Sequence, residues 1–197
     1  MDNSSLRSFL NRLCKVVWEA NVTDPLTYVT QLAYLLFLKM LEESDADRGG
    51  SGAGARVFVE VHLPGIDKPD EKTDFTQLRW SVLTSDPDNE RMLRTLRDLL
   101  PRLGHHPDLS PGARAIFEDA RIVIPDGATL RRLADIISPV NLTSEDADVK
   151  GDLFEMLSSD LGQQKRSAQF RTPRHLIRVI VEMVNPEIGR TVCDSAC

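Results

Sequence analysis

The sequence has 197 residues, 41% hydrophobic and 27% charged, the balance of a globular chain that folds in water. Its 24 Lys and Arg stand against 30 Asp and Glu, a formal charge of −6. That excludes a protein that grips nucleic acid through a net basic balance, so any DNA contact must come from a local patch or from a partner.

Residues 4–20 place Leu6, Phe9, Leu10, Leu13, Val16 and Val17 at helical spacing, predicting a helix with one apolar face. The opening MDNSSLRSFLNR lacks the basic start, long apolar stretch and small-residue cleavage site of a signal peptide. Cys14, Cys193 and Cys197 are odd in number and widely spaced, which points to a reducing cytosol rather than a disulfide framework. A cytoplasmic protein is expected.

Asp24-Pro25 supplies a cap and a preset first helical residue. The helix it opens is predicted to run to about Glu43. Tyr28, Val29, Leu32, Leu35, Leu36, Leu38, Met40 and Leu41 cover more than one stripe, as in a helix at the middle of a bundle. Its densest apolar run, Leu32 to Leu41, contains Lys39 and is much shorter than the roughly 20 residues that span a bilayer. No membrane partner is expected.

The glycines of DADRGGSGAGAR, residues 45–56, invite comparison with a phosphate-cradling loop. Such loops follow a strand and open a helix, whereas this segment does the reverse, so it reads as a flexible surface loop. Val57, Val59 and Val61 alternate with Phe58, Glu60 and His62, predicting a short strand. Residues 63–76 are rich in Pro, Gly and Asp and read as irregular, with Trp80 and Leu83 as anchors into the bundle. A third helix follows Ser85-Asp86-Pro87, with Met92, Leu93, Leu96, Leu99, Leu100 and Leu103 on its apolar face. A fourth begins at Ser110-Pro111, and a fifth near Asp126 with Leu130, Leu133, Ile136 and Ile137. His62, His105, His106 and His175 read as exposed; no Cys or His pair has zinc spacing, and no Ser, His and Asp set stands out.

A sixth helix is predicted after Thr143-Ser144, carrying Leu153, Phe154 and Leu157. Beyond it the charge changes sign. Between Asp160 and Glu182 there is no acid, yet Lys165, Arg166, Arg171, Arg174 and Arg178 are all present. Thr172-Pro173 then opens a helix in which Leu176, Ile177, Ile180, Val181 and Val184 form a stripe expected to be buried. After Asn185-Pro186 and Gly189, Thr191-Val192-Cys193 reads as a buried strand ending in Asp194. Helix, turn, apolar strand and acidic end is how an α/β nucleotide-type fold opens.

Three segments in order, GDLFEML, AQFRTPRHLIRVIVEMVNP and VCDSAC, resemble the modification subunit of type I restriction-modification systems. The matching positions are Gly151, Phe154, Glu155 and Leu157, then Gln169, Phe170, Thr172, Pro173 and Arg174, then Asp194 and Cys197; Ser195 stands where the family has proline. LNRLCKVVWEANVTDPLTYVTQLAYLLFLKMLEE, Arg79-Trp80-Ser81 and DARIVIPDGATLRRLADIIS are similar to its helical domain, so the resemblance covers the chain except residues 44–75.

This resemblance implies an adenine-specific DNA methyltransferase that takes its methyl group from S-adenosylmethionine. It assigns cofactor binding to Gln169, Phe170, Arg171, Thr172, Pro173, Arg174 and Asp194, and DNA contact to Lys165, Arg166, Arg171 and Arg174. The helical domain would help embrace DNA and dock neighbouring subunits, and the partners would be DNA, a specificity subunit, a second modification subunit and, in the nuclease, a restriction subunit. The family's base-holding Asn/Asp-Pro-Pro-Phe/Tyr loop does not occur in this sequence, so no catalytic residue is assigned and the chain alone is expected to be inactive.

The predicted architecture is mainly α. Residues 1–150 form an N-terminal helical bundle domain with a small extended segment and a flexible loop at about 44–56. Residues 151–197 hold the opening helix and first strand of a Rossmann-like methyltransferase domain, stopping before its glycine turn. A different class of reading is a stand-alone helical interaction module with no cofactor. A helix-turn-helix regulator lacks a compact basic recognition helix.

Overall fold

The computed structural model describes residues 3–48, 57–142 and 174–185, with positions 189, 191 and 193. The first two stretches form one helical body around a continuous core.

Helix α1 (Asn3–Glu19) turns Leu6, Phe9, Leu10, Leu13, Val16 and Val17 inward, as its periodicity predicts. Asn21, at φ 63°, ends the turn into α2 (Pro25–Arg48), whose first N–H groups are met by Asp24 through the backbone N–H of Thr27 at 2.8 Å. Leu32, Leu35, Leu36 and Leu38 of α2 are fully buried on several sides, the environment of a central helix.

The helix also runs five residues past the expected end at Glu43. Acidic residues in its last turns are bonded to backbone and side chains far along the chain. Glu42 accepts the N–H and hydroxyl of Ser81 at 2.9 and 2.5 Å. Glu43 pairs with Lys39 at 3.0 Å and accepts the Leu142 N–H at 2.9 Å. Asp45 pairs with Arg79 at 3.1 Å. Residues 49–56 of the expected loop lie outside the described residues.

The predicted strand at 57–61 is shorter than its alternation suggested. Only Glu60–Val61 (β1) pairs, antiparallel, with Thr73–Asp74 (β2). Val57 and Phe58 are both buried, which breaks the period of two, and the Phe58 ring lies under the Arg79 guanidinium at 5.3 Å. The irregular stretch between the strands is organised by Asp67. Its carboxylate accepts the N–H of Leu63 at 2.9 Å and the N–H and hydroxyl of Thr73 at 3.1 and 2.8 Å, with Arg102 at 3.3 Å.

A 3-10 turn (Phe75–Leu78) leads to α3 (Trp80–Ser85), where Trp80 and Leu83 are buried anchors, as expected. The Trp80 indole N–H also donates to the Ser138 hydroxyl at 2.9 Å. Helix α4 (Asn89–Leu99) is capped by Asp88, which accepts the N–H groups of Glu90 and Arg91, both at 3.0 Å. Asp86, in the expected entrance, pairs with Arg91 at 2.6 Å instead. After a second 3-10 turn (Pro101–His105), α5 (Pro111–Phe117) and α6 (Gly127–Ile137) begin at the caps Ser110 and Asp126, where the sequence places them.

The starts of α4 and α6 meet so closely that a Cβ on Gly127 would lie 2.2 Å from the Asn89 backbone. The Gly127 N–H donates to Glu90 at 2.7 Å, and Arg131 bonds the Asn89 side chain at 2.9 Å and the carbonyls of Thr84 and Asp86.

One histidine departs from expectation. His105 is exposed, but His106 is completely buried. Its ring meets Phe75 edge-on at 5.1 Å, and its Nδ1 accepts the Asp108 N–H at 3.2 Å. Non-local packing against the 57–78 segment draws it in, which a Gly-His-His-Pro string does not reveal. The predicted sixth helix lies outside the described residues. Among the described residues, no helix is long and apolar enough to cross a membrane.

Candidate functional site

The site expected from the sequence is the entrance to the last helix. That helix, α7, runs Arg174–Val184, directly after Thr172-Pro173. It ends at Asn185, whose positive φ of 44° and N–H donated to the Val181 carbonyl at 2.8 Å close the last turn. Gln169, Phe170, Arg171, Thr172, Pro173 and Asp194 lie outside the described residues, as do Lys165 and Arg166. Arg174, expected to serve both cofactor and DNA, is the first residue of α7.

The stripe on this helix is not buried. Leu176, Ile177, Ile180, Val181 and Val184 are between 45% and 65% exposed, and Met183 is 80% exposed. A helix face is buried only where another element lies on it, and no described residue covers this one. Thr191 and Cys193 are likewise exposed and outside regular structure, where a buried strand was expected. A strand forms only with a neighbour to take its backbone hydrogen bonds, and none stands beside them among the described residues.

The structure also shows a surface that the sequence pattern passed over. Between α1 and the start of α2 runs a groove of about 950 Å³ lined by Asn11, Lys15, Trp18, Glu19, Thr23 and Tyr28. Trp18 is 66% exposed. At its edge Glu19 pairs with Arg132 of α6 at 2.7 Å and with Lys15 at 3.9 Å. The Arg132 hydrogen bond, opposed by partial desolvation, holds the Glu19 carboxyl below the usual carboxylate range. The apolar periodicity of α1 located its buried side; an exposed tryptophan on the other side has no periodic signature.

The resemblance of the sequence to a type I modification subunit is matched by comparison with known proteins. The model of the HsdM N-terminal domain family matches residues 6–137, ending on the last residue of α6, and the chain belongs to that family. Residues 145–197 match the model of the N-6 DNA Methylase family. The type I restriction enzyme EcoEI methylase subunit of Escherichia coli is 26% identical over 188 residues, covering 91% of this chain and 36% of the relative. The StySPI methylase subunit of Salmonella potsdam is 28% identical over 202 residues, covering 100% and 33%. The EcoKI methylase subunit of Escherichia coli strain K12 is 27% identical over the same span and coverage. The chain thus spans about a third of the length of these relatives.

Proposed function

We propose that this chain is the front part of a type I DNA methyltransferase subunit, and that the whole protein moves a methyl group from S-adenosylmethionine to N6 of adenine in DNA. The observation that carries this reading is the order of the two family matches, a helical domain over 6–137 and then a methylase segment over 145–197 holding the Phe-x-Thr-Pro entrance.

S-adenosylmethionine, when bound, supplies an electrophilic methyl on a sulfonium. Phe170 offers an aromatic face to that positive charge, a cation–π contact worth about 0.5–2 kcal/mol. Thr172 and the backbone of Gln169, Arg171 and Arg174 would bond the polar methionine end, with Pro173, whose ring presets its backbone, just before α7. In the complete methyltransferase domain Asp194 would stand at the end of the first strand, on the cofactor's side. Lys165, Arg166, Arg171 and Arg174 meet DNA phosphates, so binding weakens as salt rises. The uncovered apolar side of α7 fits a helix that packs on the sheet of a complete methyltransferase domain. The adenine-holding tetrapeptide is not in this sequence, so the chain alone transfers no methyl group. A specificity subunit, a second methylase subunit and a restriction subunit are the expected partners, the first of them choosing the target.

Calorimetric titration with S-adenosylmethionine tests this. The present chain should bind weakly or not at all, while the protein at the full length of its relatives should bind with micromolar affinity. Phe170→Ala in that longer protein should weaken binding about 2- to 30-fold. A folded longer protein with no affinity for the cofactor would reject the reading.

A further inference from the structure

Two histidines at the 57–78 segment hold their hydrogens in opposite senses. His62 Nδ1 stands 2.9 Å from the Glu71 carbonyl, which only accepts, so this nitrogen carries the hydrogen. A second proton goes to Nε2 and leaves the bond intact. His106 Nδ1 stands 3.2 Å from the Asp108 N–H, which only donates, so this nitrogen is bare and the ring hydrogen sits on Nε2. A second proton must land on Nδ1, setting N–H against N–H. His62 is half-buried, whereas His106 is fully buried and edge-on to Phe75 at 5.1 Å. Its Nε2 has no hydrogen-bond partner of normal geometry among the described residues. A charged ring there loses the bond it has and gains no water in exchange.

The ring marks the junction of the Pro101–His105 turn with the segment. Phe75, equally buried, donates its N–H to the Val59 carbonyl at 3.1 Å, and Arg102 crosses the same junction to Asp67 and Thr73 at 3.3 and 3.0 Å. Burial opposes a charged ring, while the Asp108 carboxylate and the Val57 backbone pull the other way. The other charges on the packed elements are engaged or in water. Asp67 is held by Leu63, Thr73 and Arg102, and Asp74 by Thr76 and Gln77. Glu118 of α5 meets the turn at Gly104 through its backbone, and its side chain is exposed. On α4, Arg97 bonds the Ile124 carbonyl and Asp98 is exposed.

We propose that His106 is an acid-released latch. A proton taken up at Nδ1 ends the Asp108 bond, turns the ring out of its contact with Phe75 and lets residues 57–78 open, while α1 and α6 stay in place. Those two helices are joined by Glu19 with Arg132, and α2 is tied to the loop before α6 by Gln31 with Arg121 and Val123, bonds that do not pass through the latch. Opening uncovers Phe58, Leu63, Phe75 and Leu78, each at most 2% exposed when the segment is closed. Because the neutral ring prefers the closed form, the latch holds above the ordinary histidine pKa of about 6.5 and weakens as pH falls below it. It owes nothing to the methyltransferase reading.

Hydrogen–deuterium exchange of the full chain, read by mass spectrometry and corrected for the intrinsic exchange rate at each pH, tests the latch peptide by peptide. Between pH 7.5 and 5.5, protection over 57–78 and 103–109 should fall by about tenfold, the limit for one proton taken up on opening at a pKa of about 6.5. Protection of α1 and α6 should change by less than about twofold over the same range, since neither binds that proton. His62→Gln should leave the fall in place. His106→Gln, which keeps an acceptor for the Asp108 N–H and takes up no proton, should abolish it. Should that variant not fold, proton NMR of the unaltered chain reads the same group: the His106 ring, identified by its contact with Phe75, should titrate below 6.5 in step with the lost protection. Unchanged protection over 57–78 at pH 5.5 overturns the proposal. So does an equal loss across α1, α6 and the segment, which makes the event general unfolding. A fall that survives in folded His106→Gln, or vanishes in His62→Gln, assigns it to another group and overturns it as well.

Discussion

The side-chain oxygen of Gln31 accepts the backbone N–H of Val123 at 2.9 Å, joining the middle of α2 to the loop before α6, 92 residues away in sequence. The other end of the same amide donates to the Arg121 carbonyl at 2.8 Å, and Gln31 is 2% exposed. One side chain thus satisfies two backbone groups that no regular element pairs. Gln31→Ala should destabilise the protein by about 1–3 kcal/mol, since it removes two part-buried hydrogen bonds worth about 0.5–1.5 kcal/mol each. Gln31→Glu should be no better than alanine, because it keeps an acceptor for Val123 but turns a carboxylate oxygen to the Arg121 carbonyl. Urea unfolding followed by circular dichroism measures both.

Two glycines should respond in opposite directions. At Gly127 a methyl group would meet the Asn89 backbone at 2.2 Å, and backbone cannot swing aside as a side-chain tip can. Gly127→Ala should cost about 1–3 kcal/mol or more by prising apart the starts of α4 and α6. At Gly112, in the first turn of α5, an added Cβ meets nothing within 4 Å. There Gly112→Ala should stabilise by about 0.4–1 kcal/mol, through a less flexible unfolded chain. Thermal unfolding of the pair separates close approach from mere helix membership.

His106 gives the body an acid-sensitive point. Burial pushes its pKa below 6.5, against the opposing pull of the Asp108 charge and the Val57 backbone. Its Nε2 has no hydrogen-bond partner of normal geometry among the described residues, while Nδ1 accepts the Asp108 N–H. Below 6.5 the unfolded chain binds this proton more readily than the folded one. The stability contributed by the neutral ring should therefore be complete above pH 6.5 and decline as pH falls from there toward the folded value. His106→Gln keeps an acceptor near Asp108 and should flatten that window in urea unfolding between pH 8 and 5. Asp67, Asp74 and Asp86 are held below 3.8, first by the Leu63 N–H, the Thr76 hydroxyl and the Arg91 guanidinium respectively, so their losses belong to lower pH.

Features decided within one turn of chain were legible in the sequence. Asp24, Ser110 and Asp126 cap the helices they appear to cap; the apolar stripe named for α1 is buried, as are Val29, Leu32, Leu35, Leu36 and Leu38 of α2 and Leu130, Leu133 and Ile137 of α6, while Tyr28, Met40, Leu41 and Ile136 are half-buried. What escaped depends on partners far along the chain. Asp88 caps α4 because Asp86 is taken by Arg91. Glu42, Glu43 and Asp45 extend α2 through groups 34–99 residues distant. His106 is buried by Phe75. The α7 stripe has the right spacing but no described cover, since periodicity says which side of a helix is apolar and not what lies on it. For the candidate site, the ordered motifs pointed to the methylase family, whereas the Trp18 groove needed coordinates.

Methyl transfer is the decisive test of the account. The full-length protein, with its specificity subunit and DNA carrying that subunit's target, is given tritiated S-adenosylmethionine, and the DNA is digested to nucleosides. Tritium is expected in N6-methyl-2′-deoxyadenosine, and is expected to be lost when Phe170 and Thr172, the residues proposed to hold the cofactor, are both changed to alanine. Label in methylated cytosine alone, or none from a folded, assembled complex, would contradict it.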